Sequence, residues 1–209
     1  MVDSDLALRE LVKVIVAGDS AATSRLLNAS PQLAKISFQT GATRKSPKPY
    51  YLDAVGRYNY QGDTALHMAA AAYQAEAAAK LIAAGANIHA KNRHGDEALH
   101  YAAVGNPSSR LWNPPAQVNT ITCLIKAGAD PNAVNRTGIS PLHRAVRTRC
   151  ADALKVLLAN GADPALKNKS GSTPLLLARL NTGRGGSASP EAKLQQKEIL
   201  RLLGDKSHA

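Results

Sequence analysis

The sequence predicts an all-α fold, a solenoid of stacked helix-turn-helix repeats joined by β-turn or hairpin loops. One seven-residue segment recurs four times at spacings of 33, 43 and 33, in residues 64–70, 97–103, 140–146 and 173–179. Each copy follows an Asn-x-x-Gly turn that begins at Asn59, Asn92, Asn135 or Asn168. Such a unit cannot bury its apolar face alone, so the periodicity indicates units that stack on one another.

The composition agrees with close helix packing. The 209 residues are 44% hydrophobic and 20% charged, which is typical of a globular domain, and the apolar residues are mostly Ala and Leu. Only 4% are aromatic, which disfavours a sandwich, a barrel and a large aromatic-lined substrate pocket. No apolar run reaches membrane-spanning length, and residues 14–17 are too short a stretch for a signal sequence. We therefore expect a soluble, cytoplasmic protein without a membrane partner.

Helix boundaries can be read from local signals. Ser140-Pro141 and Thr173-Pro174 each pair an N-cap residue with the preferred first helical residue. Apolar segments end at glycines that suit a left-handed cap, namely Gly85, Gly128 and Gly161. Each unit is therefore predicted to contain two short antiparallel helices.

The second unit departs from this pattern, because Glu97 stands at the capping position and Ala98 replaces Pro. Asp is a better N-cap residue than Glu. We expect Asp96 to cap this helix.

The repeated segments resemble the T-P-L-H signature and the 33-residue period of the ankyrin repeat family. With a degenerate first unit, the resemblance covers nearly the whole chain, which is similar to the stand-alone ankyrin repeat proteins of bacteria. It implies a module that binds another protein without catalysis and without a cofactor. It also implies that the repeated histidines tie neighbouring units together.

We expect a single domain with atypical ends. Residues 6–27 keep the helix-turn-helix spacing of a repeat, and the last helix has an apolar stripe of Leu194, Ile199, Leu200, Leu202 and Leu203. The expected parts are a capping repeat at 1–37, an inserted loop at 38–58, repeats at 59–91, 92–134, 135–167 and 168–204, and a tail at 205–209.

Three insertions interrupt the period, and surface insertions often build a binding face. The first is the loop 38–58. The other two, at 105–116 and 181–190, fall between the helices of a unit and end in the helix starts Asn113-Pro114 and Ser189-Pro190. Part of each is therefore expected to lengthen the second helix of its unit. The glycine-rich stretch 183–187 is expected to be a flexible loop.

The sequence gives little support for a catalytic site or a metal-binding site. His67, His100 and His143 recur one repeat apart, too far from one another to share one metal ion. Cys123 and Cys150 lack a metal-binding spacing, and we interpret them as helix residues. No nucleophile, base and oxyanion donor can be assembled, so we expect no enzyme. An enzyme would need a pocket between an insertion and the concave face.

The resemblance also implies where a partner binds, at the tips of the Asn-x-x-Gly turns and on the exposed face of each first helix. Carried over to this chain, the set is Tyr60, Gln61, Asp63, Arg93, His94, Asp96, Tyr101, Arg136, Thr137, Ile139, Arg144, Arg147, Lys169, Ser170 and Ser172. The inserted loop adds a Tyr- and Arg-rich set, the types that interfaces favour: Arg44, Lys45, Lys48, Tyr50, Tyr51, Arg57 and Tyr58.

The net charge of +11 is concentrated in residues 38–62 and 121–209. Such a field favours an acidic protein partner. The alternative is nucleic acid, because the loop interleaves tyrosines with basic residues, as single-strand binders do. Since capping units occupy both ends, we expect a monomer.

Overall fold

The computed structural model describes residues 2–109, 112–180 and 189–204. In chain order, its helices are α1 (Val2–Val16), α2 (Ser20–Ala29), α3 (Ala65–Ala71), α4 (Ala75–Ala83), α5 (Ala98–Ala102), α6 (Pro114–Lys126), α7 (Pro141–Arg147), α8 (Ala151–Ala159), α9 (Pro174–Arg179) and α10 (Pro190–Leu202). Two short strands, β1 (Tyr51–Leu52) and β2 (Arg57–Tyr58), lie in the inserted loop.

The helices form two rows. The first helices of the units, α1, α3, α5, α7 and α9, pack side by side, and the second helices, α2, α4, α6, α8 and α10, do the same behind them. Leucines such as Leu66, Leu99 and Leu142 fill the space between the rows and are almost fully buried. This arrangement confirms the predicted all-α repeat solenoid. Within the described residues, no helix is long and apolar enough to cross a membrane.

Local capping chemistry sets the helix starts. The side chains of Thr64, Ser140 and Thr173 accept hydrogen bonds from backbone N–H groups in the first turns of α3, α7 and α9. The prediction that Asp96 caps α5 is wrong. Glu97 is the N-cap residue, and its backbone N–H donates to His100 Nδ1 at 3.1 Å. Asp96 is instead bonded to the next repeat.

The two insertions within units do lengthen the second helices. Helices α6 and α10 have 13 residues each, whereas α4 and α8 have nine. Asn113 and Ser189 cap the longer helices with their side chains, as predicted. The insertions also meet, because Ser108 Oγ lies 3.0 Å from Ser189 Oγ. The predicted flexible stretch 183–187 lies outside the described residues.

Both ends of the solenoid are closed by helix pairs. At the first, Asp19 caps α2 by accepting from Ala22 N at 2.7 Å. At the other, Ile199 and Leu200 of α10 are buried as expected, but Leu194 is 68% exposed. Ala192 is buried on α10 instead. The buried face of α10 is therefore narrower than the sequence pattern indicates.

The inserted loop is folded against the first repeat. Its residues Phe38 and Ala42 are buried, and β1 and β2 pair antiparallel with Tyr51 opposite Tyr58. The Asp5 carboxylate accepts from Gln39 N at 3.0 Å and so holds the start of the loop to α1. The loop therefore forms a fixed wall beside the repeats.

Candidate functional site

The histidine of each T-P-L-H segment joins two units. The Nε2 atoms of His67, His100 and His143 donate to backbone oxygens of the following turn, at Asp96 (2.9 Å), Ile139 (3.0 Å) and Ser172 (3.1 Å). Each Nδ1 accepts the N–H of its own N-cap residue, which fixes the tautomer. The predicted structural role of these histidines is confirmed.

In the fourth unit, the histidine position is occupied by Leu176, which is 43% exposed. A leucine side chain cannot donate a hydrogen bond to a further turn. The row of inter-repeat histidine bonds therefore ends at His143.

The asparagines of the turns form a second row of ties. Asn92 Oδ1 accepts the N–H groups of His94 and Asp96, and its Nδ2 donates to Asp63 Oδ1 at 2.8 Å. Asn135 repeats this arrangement and donates to Asp96 Oδ1 at 2.8 Å. The second and third turns are thus each hydrogen-bonded to the carboxylate of the turn before them.

These ties correct part of the predicted contact set. Asp63, Asp96, Tyr101 and Ile139 were expected to face a partner, but they are 0%, 5%, 4% and 6% exposed. Tyr101 Oη donates to Asp63 Oδ2 at 3.1 Å. Their polar groups are used between repeats, so the prediction that they form an exposed contact surface is wrong.

Burial raises the pKa of Asp63, and its hydrogen bonds from Tyr60 N, Asn92 and Tyr101 only partly oppose this effect. Burial also raises the pKa of Tyr101. This pair of groups therefore supports the fold and is shielded from solvent.

The concave side carries a groove of about 770 Å³. One wall is the end of the inserted loop, with Gly56, Arg57 and Tyr58, and the floor is formed by α5 and α7. The tips of two turns also line it, as do Gly105 and Asn106 of the insertion after α5. We call this space the concave groove.

The concave groove brings together eleven of the predicted residues: Arg57, Tyr58, Tyr60, Arg93, His94, Asp96, Tyr101, Arg136, Thr137, Arg144 and Arg147. Outside its lining lie Arg44, Lys45, Lys48, Tyr50, Tyr51, Gln61, Asp63, Ile139, Lys169, Ser170 and Ser172. Sequence reasoning missed the contribution of Val104, Gly105 and Asn106. The available signal was that the second insertion begins directly after α5.

Two arginines of the concave groove rest on tyrosine rings. The Arg57 guanidinium lies 5.0 Å from the centre of the Tyr101 ring, and that of Arg93 lies 4.8 Å from the Tyr60 ring. Such contacts fix a guanidinium through its face. Arg93 also donates from Nε to His94 Nε2 at 3.2 Å. His94 packs edge-on against Tyr60 at 4.6 Å.

Arg144 is held by an ion pair with Asp96. Its Nη2 donates to the two carboxylate oxygens at 3.0 and 2.8 Å. Burial alone raises the pKa of Asp96, but the charge of Arg144 and hydrogen bonds from Asn135 and Arg144 together hold it below its ordinary value. Asp96 is therefore ionised at neutral pH and already neutralised by protein groups.

His94 is the exposed titratable group at the rim. Partial burial and the neighbouring charge of Arg93 lower its pKa. At neutral pH it therefore adds little to the positive charge of the concave groove. Among the described residues, no cluster of three or more His, Cys, Asp or Glu side chains could hold a metal ion.

Comparison with protein-family models gives two matches. A model described as ankyrin repeats (many copies) matches residues 124–178, and one described as ankyrin repeat matches residues 61–93 and 94–136. Together they span more than half of the chain. The chain belongs to the ankyrin repeat family. No curated protein matches it.

Ankyrin repeats are generally protein–protein interaction modules, and the family typically binds without catalysis. In this ankyrin repeat protein the matched residues include α3 to α8, and two of these helices, α5 and α7, form the floor of the concave groove.

Proposed function

We propose that this protein binds an acidic region of another protein in its concave groove, without catalysis. The observation that carries the proposal is the convergence of five arginines from three kinds of element: Arg57 of the loop, Arg93 and Arg136 of the turns, and Arg144 and Arg147 of α7. Asp96 is the lone carboxylate among the lining residues, and it is already paired.

The electrostatic argument concerns association and specificity. A surface lined by like charges attracts an oppositely charged partner and discriminates against cationic proteins. Arginine and tyrosine are also the residue types that supply most binding energy at interfaces. The remaining exposed residues of the predicted set, such as Arg44, Lys45, Tyr51 and Lys169, extend this proposed surface beyond the concave groove.

The ring contacts favour a protein partner over single-stranded nucleic acid. Stacking readers present free ring faces to successive bases. Here Tyr60 is engaged by Arg93 and His94, and Tyr51 and Tyr58 contact each other at 4.9 Å. Tyr50 lies beneath Arg9, whose guanidinium is 5.1 Å from its ring.

The proposal is tested by affinity capture from the source organism followed by binding measurements with the recovered protein. Arg136→Glu with Arg147→Glu reverses two charges of the concave groove and leaves the Asp96–Arg144 pair intact. Lys193→Glu with Lys197→Glu is the matched control, since both lysines are exposed on α10. We expect the first variant alone to lose the partner, and binding to weaken with added salt.

Equal binding by both variants would remove the concave groove from the proposed function. Titration with single-stranded and duplex oligonucleotides at about 50 mM salt tests the alternative, because phosphate contacts are strongest at low salt. Tight, steeply salt-dependent binding there would favour nucleic acid as the partner. We also propose that the protein is a monomer, which light scattering of the purified protein tests.

A further inference from the structure

The concave groove has the volume of a small-molecule site. Its volume of about 770 Å³ lies within the range of about 300–1,000 Å³ that ligand pockets occupy. An open ankyrin face is bounded only by turns and helices, whereas here β2 and the insertion at Gly105 and Asn106 add two further walls. The insertions thus turn part of a binding face into a pocket.

Several hydrogen-bond donors of this pocket are unused. Within the described part of the chain, Arg57 makes its ring contact with Tyr101 but no hydrogen bond. The Arg136 side chain is exposed and makes no hydrogen bond or ion pair with those residues. The Nη2 atom of Arg144 donates to Asp96, and its buried Nε has no acceptor among the described residues. Guanidinium donors present planar pairs of N–H groups that match phosphate and carboxylate oxygens.

The charge balance points to a multiply charged ligand. Arg57, Arg93 and Arg136 line one pocket without a carboxylate partner among the described residues, and the single lining carboxylate, Asp96, is already paired with Arg144. Asp63 is fully buried beneath Tyr101 and does not line the pocket. Single carboxylates would leave most of this charge uncompensated, whereas a diphosphate carries several charges within the same small volume.

We propose that the concave groove binds a small phosphate-bearing molecule with two or more adjacent phosphoryl groups. The phosphoryl oxygens accept from Arg57, Arg136 and Arg144, the lining arginines that have unused donors. The ring-supported Arg57 is pre-organised, so little conformational entropy is lost when it binds. This inference concerns the same surface as the proposed function but requires no protein partner.

Calorimetric titration of the purified protein with inorganic pyrophosphate tests the inference. The variant is Arg57→Gln, which removes one charge from the pocket, and the matched control is Arg25→Gln, which removes one exposed charge from α2. We expect pyrophosphate affinity to fall about tenfold or more in Arg57→Gln and to be unchanged in Arg25→Gln. Arg57→Lys should retain intermediate affinity, because it keeps the charge but loses the planar donor pair.

Thermal melting of each variant without ligand verifies that Arg57→Gln is folded. If that variant is unfolded, the same titration with Arg136→Gln decides the matter. Equal pyrophosphate affinity in wild type, Arg57→Gln and Arg25→Gln would show a diffuse ionic effect and overturn the inference.

The two proposals fail separately. Capture of the partner by the charge-reversed variant as well as by its control overturns the protein interface alone, because no pyrophosphate is present in that experiment. Absence of pyrophosphate binding by the purified protein overturns the phosphate site and leaves the proposed protein interface standing.

Discussion

His100 Nε2 donates to the backbone oxygen of Ile139 across 39 residues of sequence, whereas His67 and His143 reach their acceptors across 29. The three bonds have nearly the same length. The insertion between α5 and α6 is therefore accommodated without disturbing the contact between units, because it leaves on the side of the solenoid away from the turns.

The first prediction concerns the free energy of unfolding. His100→Ala removes the donor to Ile139 O and the acceptor for Glu97 N, and both backbone groups are buried. We expect a loss of about 3 kcal/mol in urea unfolding. The exposed His89 is the control, and His89→Ala should change stability by less than about 0.5 kcal/mol. Equal effects of the two substitutions would contradict the tie between units.

The second prediction concerns pH. Burial lowers the pKa of His100 from 6.5 to about 4, so the folded protein disfavours the protonated ring. Its contribution to stability is complete above pH 6.5 and is lost as the pH falls towards 4, by about 3 kcal/mol in total.

Urea unfolding of wild type and His100→Gln at several pH values between 6.5 and 4 measures this loss. The variant should be less stable at pH 7 and should show a shallower decline on acidification. Some decline remains, because burial also lowers the pKa of His143. Parallel curves for the two proteins would contradict the assignment to His100.

The third prediction concerns the pair of Asp96 and Arg144. Arg144→Ala leaves a buried carboxylate with Asn135 as its main side-chain donor, and we expect a loss of about 2 kcal/mol. A double-mutant cycle with Asp96→Ala should give a coupling of about 1–2 kcal/mol. Independent, additive effects would argue against the pair.

The carboxyl NMR titration of Asp96 gives a second readout. Its folded pKa is lowered, so the pair stabilises the protein above the ordinary value of 3.8 and loses this contribution as the pH falls through the lowered value. Removal of the Arg144 charge should raise the pKa of Asp96. An unchanged pKa in Arg144→Ala would be inconsistent with the ion pair.

The fourth prediction separates steric contact from backbone strain at glycine. A Cβ at Gly105 would lie 2.5 Å from Trp112 Nε1 and 2.6 Å from Cys150 Sγ, whereas a Cβ at Gly161 would meet open space. Gly161 has a φ of 87°, so Gly161→Ala carries only backbone strain of about 1 kcal/mol. Gly105→Ala should cost more than this in thermal unfolding, and a smaller cost would refute the close packing.

The features that sequence predicted well are encoded locally. Ser140-Pro141 and Asn113-Pro114 carry their capping donors and acceptors within one helical turn, so the helix starts follow from a few adjacent residues. The period of the T-P-L-H segments then determines the stacking of units, and hence the two rows of helices.

The features that sequence missed depend on residues of neighbouring units. Asp96 looks like a cap or a turn-tip residue until Asn135 and Arg144 of the next unit are placed beside it. Tyr101 looks exposed until the inserted loop lays Arg57 over its ring. Burial of this kind comes from long-range contacts, which the residue pattern of one unit does not contain.

The replacement of the repeated histidine by Leu176 has a consequence for lengthening the molecule. Each earlier unit offers its successor a hydrogen-bond donor, and the fourth offers an apolar side chain instead. A duplicated unit could therefore accept the histidine hydrogen bond if it followed any of the first three units. It could not do so after the fourth. One side chain therefore makes the fourth unit chemically unlike the other three at the surface that faces a following turn.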